Sequence, residues 1–464
     1  GLIVRKHDGH RHDRNKIRRL AKACGVYDPL GASPREDRRA LAIARANVKA
    51  FKPHAHQSRQ KHQRQQLQKA EDEGDTTTAR RIRRQLHNEP LKRAHREIKR
   101  ASGKERAPPV TTCEITRGST TATMTTKETV EEAIMESCER RFRLTEDTPL
   151  MQPEVIDSLG ISAELADAQA ILDGTFTPPD DWEPDLKDFI RRLQYVNPSM
   201  KDKKVRSSIL ASDFIAYWSS KSKHKSSSMS NLHNGHYKAA AHNAYLSEAH
   251  AVMTDMFANS GTSPDRWKLC LTCMLLKKAG KLNVEKLRAI LLLEADFNMM
   301  TKLLFGSRMI QRAEQDKELP PDIIVSRRHH SAINGAVLRH LLFDHSHLAR
   351  CTAGVISADA HTCYDRMQHT ATSLAVQRLG FPLAPTVAML QTIQLMSFFL
   401  RTGYGDSDLH YGGNADIPLQ GGCQGNGAAP ALWIALSLCL VQHMQHHQES
   451  AIIITAISLA TIEF

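Results

Sequence analysis

Residues 355–367 read Val355-Ile-Ser-Ala-Asp359-Ala-His-Thr-Cys-Tyr364-Asp365-Arg366-Met367, and the fold turns on them. The β-branched start predicts a buried strand over Gly354–Ala358 that runs straight into Asp359, six residues before a second carboxylate, Asp365. A carboxylate at the end of a core strand is costly unless it caps a helix, joins an ion pair or binds a cation. On this segment alone the cap and the ion pair account for Asp359 as well as a cation does.

A second segment, Gln420-Gly-Gly-Cys-Gln424-Gly425-Asn426-Gly427-Ala-Ala-Pro430-Ala-Leu-Trp433, is a glycine-rich loop entering an apolar helix. Glycines admit a close backbone or ligand, and Pro430 suits the first turn of a helix. No Gly-Lys-Ser/Thr follows, and Gly-x-Gly-x-x-Gly does not occur, so this is neither a Walker loop nor a dinucleotide fingerprint.

Outward from these segments, strands are predicted at Leu269–Leu276, Gly354–Ala358 and Ala451–Leu459, and a Thr-rich hairpin within Thr111–Val130. Helices are predicted at Glu131–Phe142, Val205–Trp218, Tyr237–Asn259, Glu285–Ser307, Ala332–Leu342, Thr370–Leu379 and Ala429–His446. In the helix over Tyr237–Asn259, Tyr245, Ala249, Val252, Met253, Met256 and Phe257 recur at helical spacing and read as a core stripe. Strands and helices interleave without a strict βαβ repeat, which makes the body α+β.

The 464 residues carry a net charge of +13, unevenly placed. Residues 1–110 hold 29 Lys+Arg against 12 Asp+Glu (+17), and residues 111–464 hold 34 against 38 (−4). The basic segment is helical in pattern from His54 to Gly103, with breaks at Gly74-Asp75 and Asn88-Glu89-Pro90, and is polar nearly all round. Such a helix is either solvated or laid on a polyanion. Its only aromatics are Tyr27 and Phe51, so a nucleic-acid contact here would neutralise phosphates rather than stack bases. The nine cysteines are an odd number, several in apolar runs, as in reduced intracellular proteins. Cys270 and Cys273 form a CxxC with no second pair at zinc spacing and read as core thiols. No apolar run is long enough for a membrane span. Hydrolase signatures of the H-E-x-x-H or G-x-S-x-G kind are absent, and His329-His330 and His446-His447 read as solvated. The start at Gly1 and the apolar end suit a fragment.

Taken in order, these segments resemble the reverse transcriptases of non-LTR retrotransposons. Asp359-xxxx-Tyr364-Asp365 is similar to that family's first palm motif, D-x-x-x-x-F/Y-D. Gln424-Gly425-xxx-Ala429-Pro430 is similar to the second, Q-G-x-x-x-S-P, with Ala in place of Ser. Upstream, Trp267…Lys277-Lys278-Ala-Gly280…Leu287-Arg288-Ala289-Ile290 resembles the fingers pattern W…K-K-G…Y-R-P-I, with Ala289 in place of Pro. Ser326-Arg327-Arg328-His-His-Ser331-Ala332-Ile333 stands where the family carries its F-R-x-x-R-S-x-x-A-I segment, and Ser226–Lys238 where related elements carry a Ser/Pro/Gly-rich loop before the fingers. The likeness covers residues 205–464.

The resemblance implies a right-hand polymerase body with fingers over 205–345 and a partial palm over 346–464. A basic extension (1–110) and a connector (111–204) would precede it. It implies RNA-templated DNA synthesis by nucleotidyl transfer with Mg²⁺, on an RNA template, a DNA primer and deoxynucleoside triphosphates. Asp359 would ligate the metal ions, and Tyr364 would lie under the incoming sugar. Lys277 and Arg288 would contact the triphosphate, and Gln424 and Gly425 the incoming nucleotide and template. Ordinary surface cations remain the alternative for Lys277 and Arg288. The location implied is intracellular, the nucleus included. The third palm motif, F/Y-x-D-D, is not found, since Glu449 and Glu463 are the only acids after Pro430. The expectation is therefore a chain that does not polymerise as it stands. The competing expectation is a non-catalytic protein that binds nucleic acid through residues 1–110.

Overall fold

The computed structural model describes residues 62–83, 86, 110–222, 228–276, 280, 282–321, 323–324, 327, 330–350, 360, 362–416 and 418–446. The chain divides into two units, Gly1–Arg106 and Ala107–Phe464. The strands expected at 354–358 and 451–459 lie outside the described residues, as do Asp359 and Lys277.

In the first unit, helices over 62–72 and 76–83 meet at a turn containing Gly74, whose φ is +70°. Asp75 stops one helix and caps the next, its Oδ1 accepting from the Thr78 N–H at 3.0 Å. Ala70, Ala79 and Ile82 are buried, while Arg64, Lys69, Arg80, Arg81 and Arg83 are exposed. The helices are thus less uniformly polar than expected.

The second unit is mixed α/β. It begins with the hairpin β1 (Cys113–Arg117) and β2 (Thr120–Met124), then α1 (Lys127–Phe142), α2 (Pro153–Leu159), α3 (Ala166–Asp173) and α4 (Pro184–Arg191). There follow α5 (Ala211–Ser220), α6 (Asn234–Ala240), α7 (Ala244–Ser260), β3 (Leu269–Leu276), β4 (Leu287–Leu292), α8 (Ala295–Leu303), α9 (Ile310–Gln315) and α10 (Ala332–Leu348). The described part closes with α11 (His369–Gln377), α12 (Leu383–Gln394), β5 (Ser397–Thr402), β6 (Gly405–Gly412) and α13 (Ala429–His446).

The sheet that positions the site has the order β4-β3-β5-β6. β3 is antiparallel to β4 and parallel to β5, and β5 is antiparallel to β6. Alternation decides its faces. In β5, Phe398, Leu400 and Thr402 are buried and Ser397, Phe399 and Arg401 are half-buried. The covered face takes α1, whose Phe142 ring stacks on Phe398 at 5.4 Å and on Tyr411 at 6.3 Å. Burying a Phe of this kind stabilises the fold by about 2 kcal/mol. Arg141 of α1 donates to the carbonyls of Val284 (2.8 Å) and Leu287 (3.3 Å), fixing α1 to the start of β4.

Three expectations are corrected. Residues 285–307, expected as one helix, form a 3₁₀ turn, β4 and then α8. Leu, Arg and Ala favour helix, but Leu276↔Leu287 through Leu271↔Leu292 pair across the β3–β4 ladder, and tertiary pairing overrides a propensity of tenths of a kcal/mol. The helix expected over Tyr237–Asn259 breaks into α6 and α7, because Asn243 caps α7 by accepting from Leu246 N–H at 3.1 Å. Most of the apolar stripe of α7 also points the other way. Tyr245 (88%), Val252, Met253 and Met256 are exposed, and the buried residues are Ser247, Ala251, Thr254 and Ala258. Small residues let α7 lie close against the body and leave the four exposed ones outside, while Phe257 packs inward with its ring edge-on to Trp267 at 5.4 Å. Cys270 and Cys273 sit three apart on β3 and so on opposite faces, Cys270 fully buried and Cys273 half-buried.

Candidate functional site

The glycine loop 419–428 is the centre of the arrangement, held at both ends by backbone contacts that only glycine permits. At its first end, Gly421 N–H donates to Met367 O at 2.9 Å and Gly422 N–H to Tyr364 O at 2.6 Å. Gly421 has φ +98°, and a Cβ there would stand 2.9 Å from Tyr364 O and 3.1 Å from the Asp365 Cα. A side chain on Gly422 would collide with Met367 Cε. The two segments singled out in the sequence are therefore laced together by their main chains.

At the second end the loop docks on the free edge of β4. Leu291 N–H donates to Gln424 O at 2.9 Å. Gly425 has φ +134°, and a Cβ there would fall inside the Leu291 carbonyl oxygen. Asn298, on α8, brackets the turn: its Nδ2 donates to Gly425 O (3.0 Å) and its Oδ1 accepts from Gly427 N–H (2.6 Å). Lys302 is one helical turn further on and runs along Gly427 and Gly306. Desolvation there lowers the pKa of its ammonium, although the side chain keeps contact with solvent. Asn426 accepts from Ala428 N–H at 3.0 Å, leading into α13. Two buried amide donors in this loop, Asn426 Nδ2 and Gln420 Nε2, have no protein partner.

Tyr364 and Asp365 sit in a 3₁₀ turn, Cys363–Arg366, entered through Thr362 at φ +50°. Tyr364 is half-buried, and burial pushes its phenol up to about 12. Cys423 is fully buried, and desolvation, with the Asp365 carboxylate adding to it, pushes its thiol well above the usual range. That thiol is inert at neutral pH. Arg288 lies on β4 with Ile290 and Leu292, on the face opposite the buried Leu287 and Leu291. It is about 10 Å along the strand from Leu291, where the loop docks. The structure thus brings Tyr364, Gln424 and Gly425 into one connected element and sets Arg288 on the strand that supports it.

Sequence reasoning missed Asn298, Lys302 and His369, which hold or flank the loop. It also missed a buried network behind β3. Asp296 (3% exposed) accepts from Trp267 Nε1 (3.0 Å) and from Arg266, while Glu294 (0% exposed) accepts from Arg266 Nη1 (3.1 Å) and Ser230 Oγ (2.9 Å). Ser228 Oγ donates to Leu269 O at 3.2 Å. Ser228, Ser230 and Trp267 are therefore structural ties of the strand β3. Arg327 is likewise structural, donating to Glu314 (2.7 Å) and to the carbonyls of Pro320 and Ile323. Glu314's carboxyl is held down in pKa by that guanidinium.

The fold and site define a mixed α/β body with a glycine loop clamped between a strand edge and a Tyr-Asp turn. The chain matches no protein-family model and no curated protein. No helix among the described residues is long and apolar enough to cross a membrane.

Proposed function

We propose that residues 205–464 are a reverse-transcriptase body that holds an RNA template, a DNA primer and an incoming deoxynucleoside triphosphate. The observation that carries this reading is the lacing of 364–367 to 421–422, segments more than 50 residues apart, with Gln424 and Gly425 seated on the strand that bears Arg288. A polymerase of this kind needs its nucleotide-facing turn, its template-facing loop and its triphosphate cations on adjoining elements. In this reading Tyr364 lies against the sugar, Arg288 offers a forked donor to phosphate oxygens, and the Gln424–Gly425 backbone meets the base pair.

Asp359 and Lys277 keep their proposed roles as metal ligand and second phosphate cation, outside the described residues. Among the described residues no three His, Cys, Asp or Glu side chains converge to hold an ion.

The test is photocrosslinking of labelled dTTP and dGTP to the whole chain on poly(rA)·oligo(dT) and poly(rC)·oligo(dG). The reading expects each nucleotide to be retained on its complementary template, and Arg288→Ala to weaken retention about tenfold or more. Equal retention on both templates would refute it.

The second reading, a non-catalytic nucleic-acid binder, draws on the exposed Arg64, Lys69, Arg80, Arg81 and Arg83. It expects steeply salt-dependent binding that survives loss of residues 205–464.

A further inference from the structure

His369 has no part in the roles above, yet it is fully buried and its ring meets the glycine loop directly. It opens α11, and its backbone N–H donates to Gln420 Oε1 at 2.8 Å. Its Nε2 lies 2.8 Å from Gly421 O. A carbonyl only accepts, so Nε2 carries the proton and the neutral ring's Nδ1 is the acceptor. Gln394, on α12, fits that assignment: its Nε2 stands 2.9 Å from His369 Nδ1 and donates also to Ser162 Oγ at 3.2 Å. Both amide protons of Gln394 are used, and the ring has one tautomer that satisfies all its neighbours. The groups bonded to the ring (Gly421, Gln394) and to its backbone (Gln420) are uncharged.

We infer that His369 is the positioning residue of the glycine loop: its Nε2–H holds the Gly421 carbonyl, and through it sets where Gln424 and Gly425 stand on β4. Gly421 and Gly422 are tied to Met367 and Tyr364 by two backbone bonds, and Gln424 to Leu291 by a third. Between those anchors Cys423 adopts φ +62°, a left-handed conformation that costs free energy in a non-glycine residue. A loop so bent keeps its shape only while both ends are fixed, and His369 is the side-chain clamp on the first. Gln420, whose Oε1 takes the His369 N–H, makes the same end a two-point attachment. That the loop so positioned serves a nucleotide rests on the polymerase reading; the clamp itself does not.

The experiment compares the whole chain with His369→Leu, which removes the donor, and His369→Gln, whose amide N–H reaches the position of Nε2. Amide hydrogen exchange is followed over 419–428, with dTTP retention on poly(rA)·oligo(dT) as the second readout. Loss of a buried hydrogen bond that orphans a carbonyl predicts exchange at 421–425 about tenfold faster or more in His369→Leu. His369→Gln should restore it to within about threefold of the parent. Nitrogen-15 spectra of the parent should place the ring proton on Nε2. The inference is overturned if His369→Leu leaves exchange at 421–425 within twofold of the parent. It is overturned equally if exchange rises evenly across 369–394 as well and His369→Gln recovers nothing, since the residue would then be core filling. If the loop responds as expected but no protein retains dTTP, the clamp stands and the polymerase reading falls.

Discussion

Replacing Gly425 by Ala puts the docking of the glycine loop to a quantitative test. At φ +134° an L-residue sits in a region that only glycine occupies freely, at a cost of about 1–3 kcal/mol. The added Cβ also meets the Leu291 carbonyl oxygen, a backbone atom of an edge strand that cannot swing aside. Relief requires the loop to lift off β4, which breaks the Leu291–Gln424 bond and loosens the two Asn298 bonds to Gly425 and Gly427, at about 1 kcal/mol each. Gly425→Ala should therefore destabilise the second unit by about 3–5 kcal/mol, a large part of the stability of an ordinary domain. Gly118 is the control: it has φ +61° with nothing within 4 Å of a Cβ, so Gly118→Ala should cost only about 1 kcal/mol. Urea unfolding followed by far-ultraviolet circular dichroism reads both. Equal costs for the two variants, or less than 1 kcal/mol for Gly425→Ala, would refute the docked loop.

Three further outcomes are expected. His369 has a pKa lowered to about 4 by burial, against 6.5 when unfolded. The unfolded chain therefore binds the proton first, and His369's contribution is complete above pH 6.5, falls as the pH drops and is gone near pH 4. The span is worth about 3 kcal/mol at 1.36 kcal/mol per pH unit. Unfolding midpoints at pH 7.5 and 4.5 should differ less in His369→Gln than in the parent, and an unchanged difference would contradict the buried neutral ring. Asp296→Leu, which leaves Arg266 with Glu294 and orphans the Trp267 N–H behind β3, should cost about 2 kcal/mol in urea unfolding, and a cost under about 0.5 kcal/mol would mean that the network is slack. On α7, Met253→Ser should change stability by less than about 0.5 kcal/mol, whereas Ala258→Leu should cost about 1–3 kcal/mol; the reverse order would restore the apolar stripe to the core.

The sequence carried what is local. β3 stands where its apolar run predicted it, and α13 begins beside Pro430 as a helix entered through proline should. The glycines of 421–427 signalled a close approach, and the Leu291 and Tyr364 backbones are what approach them. The unread parts depend on partners far along the chain. His369 meets Gly421 across 52 residues and Asn298 meets Gly425 across 127, and nothing near either residue announces the bond. β4 was hidden because its residues favour helix until β3 supplies a ladder. The α7 stripe misled because periodicity reports that a helix has two faces, and the small face is the one that packs.

The proposed reverse-transcriptase body sets the loop, the Tyr364 turn and β4 against one nucleotide. The hydrogen-exchange footprint of the whole chain with poly(rA)·oligo(dT) and dTTP is the test. Protection is expected at 287–292, 362–366 and 420–427, appearing with dTTP and not with dGTP. Protection confined to residues before 111, the same with either nucleotide, would contradict it.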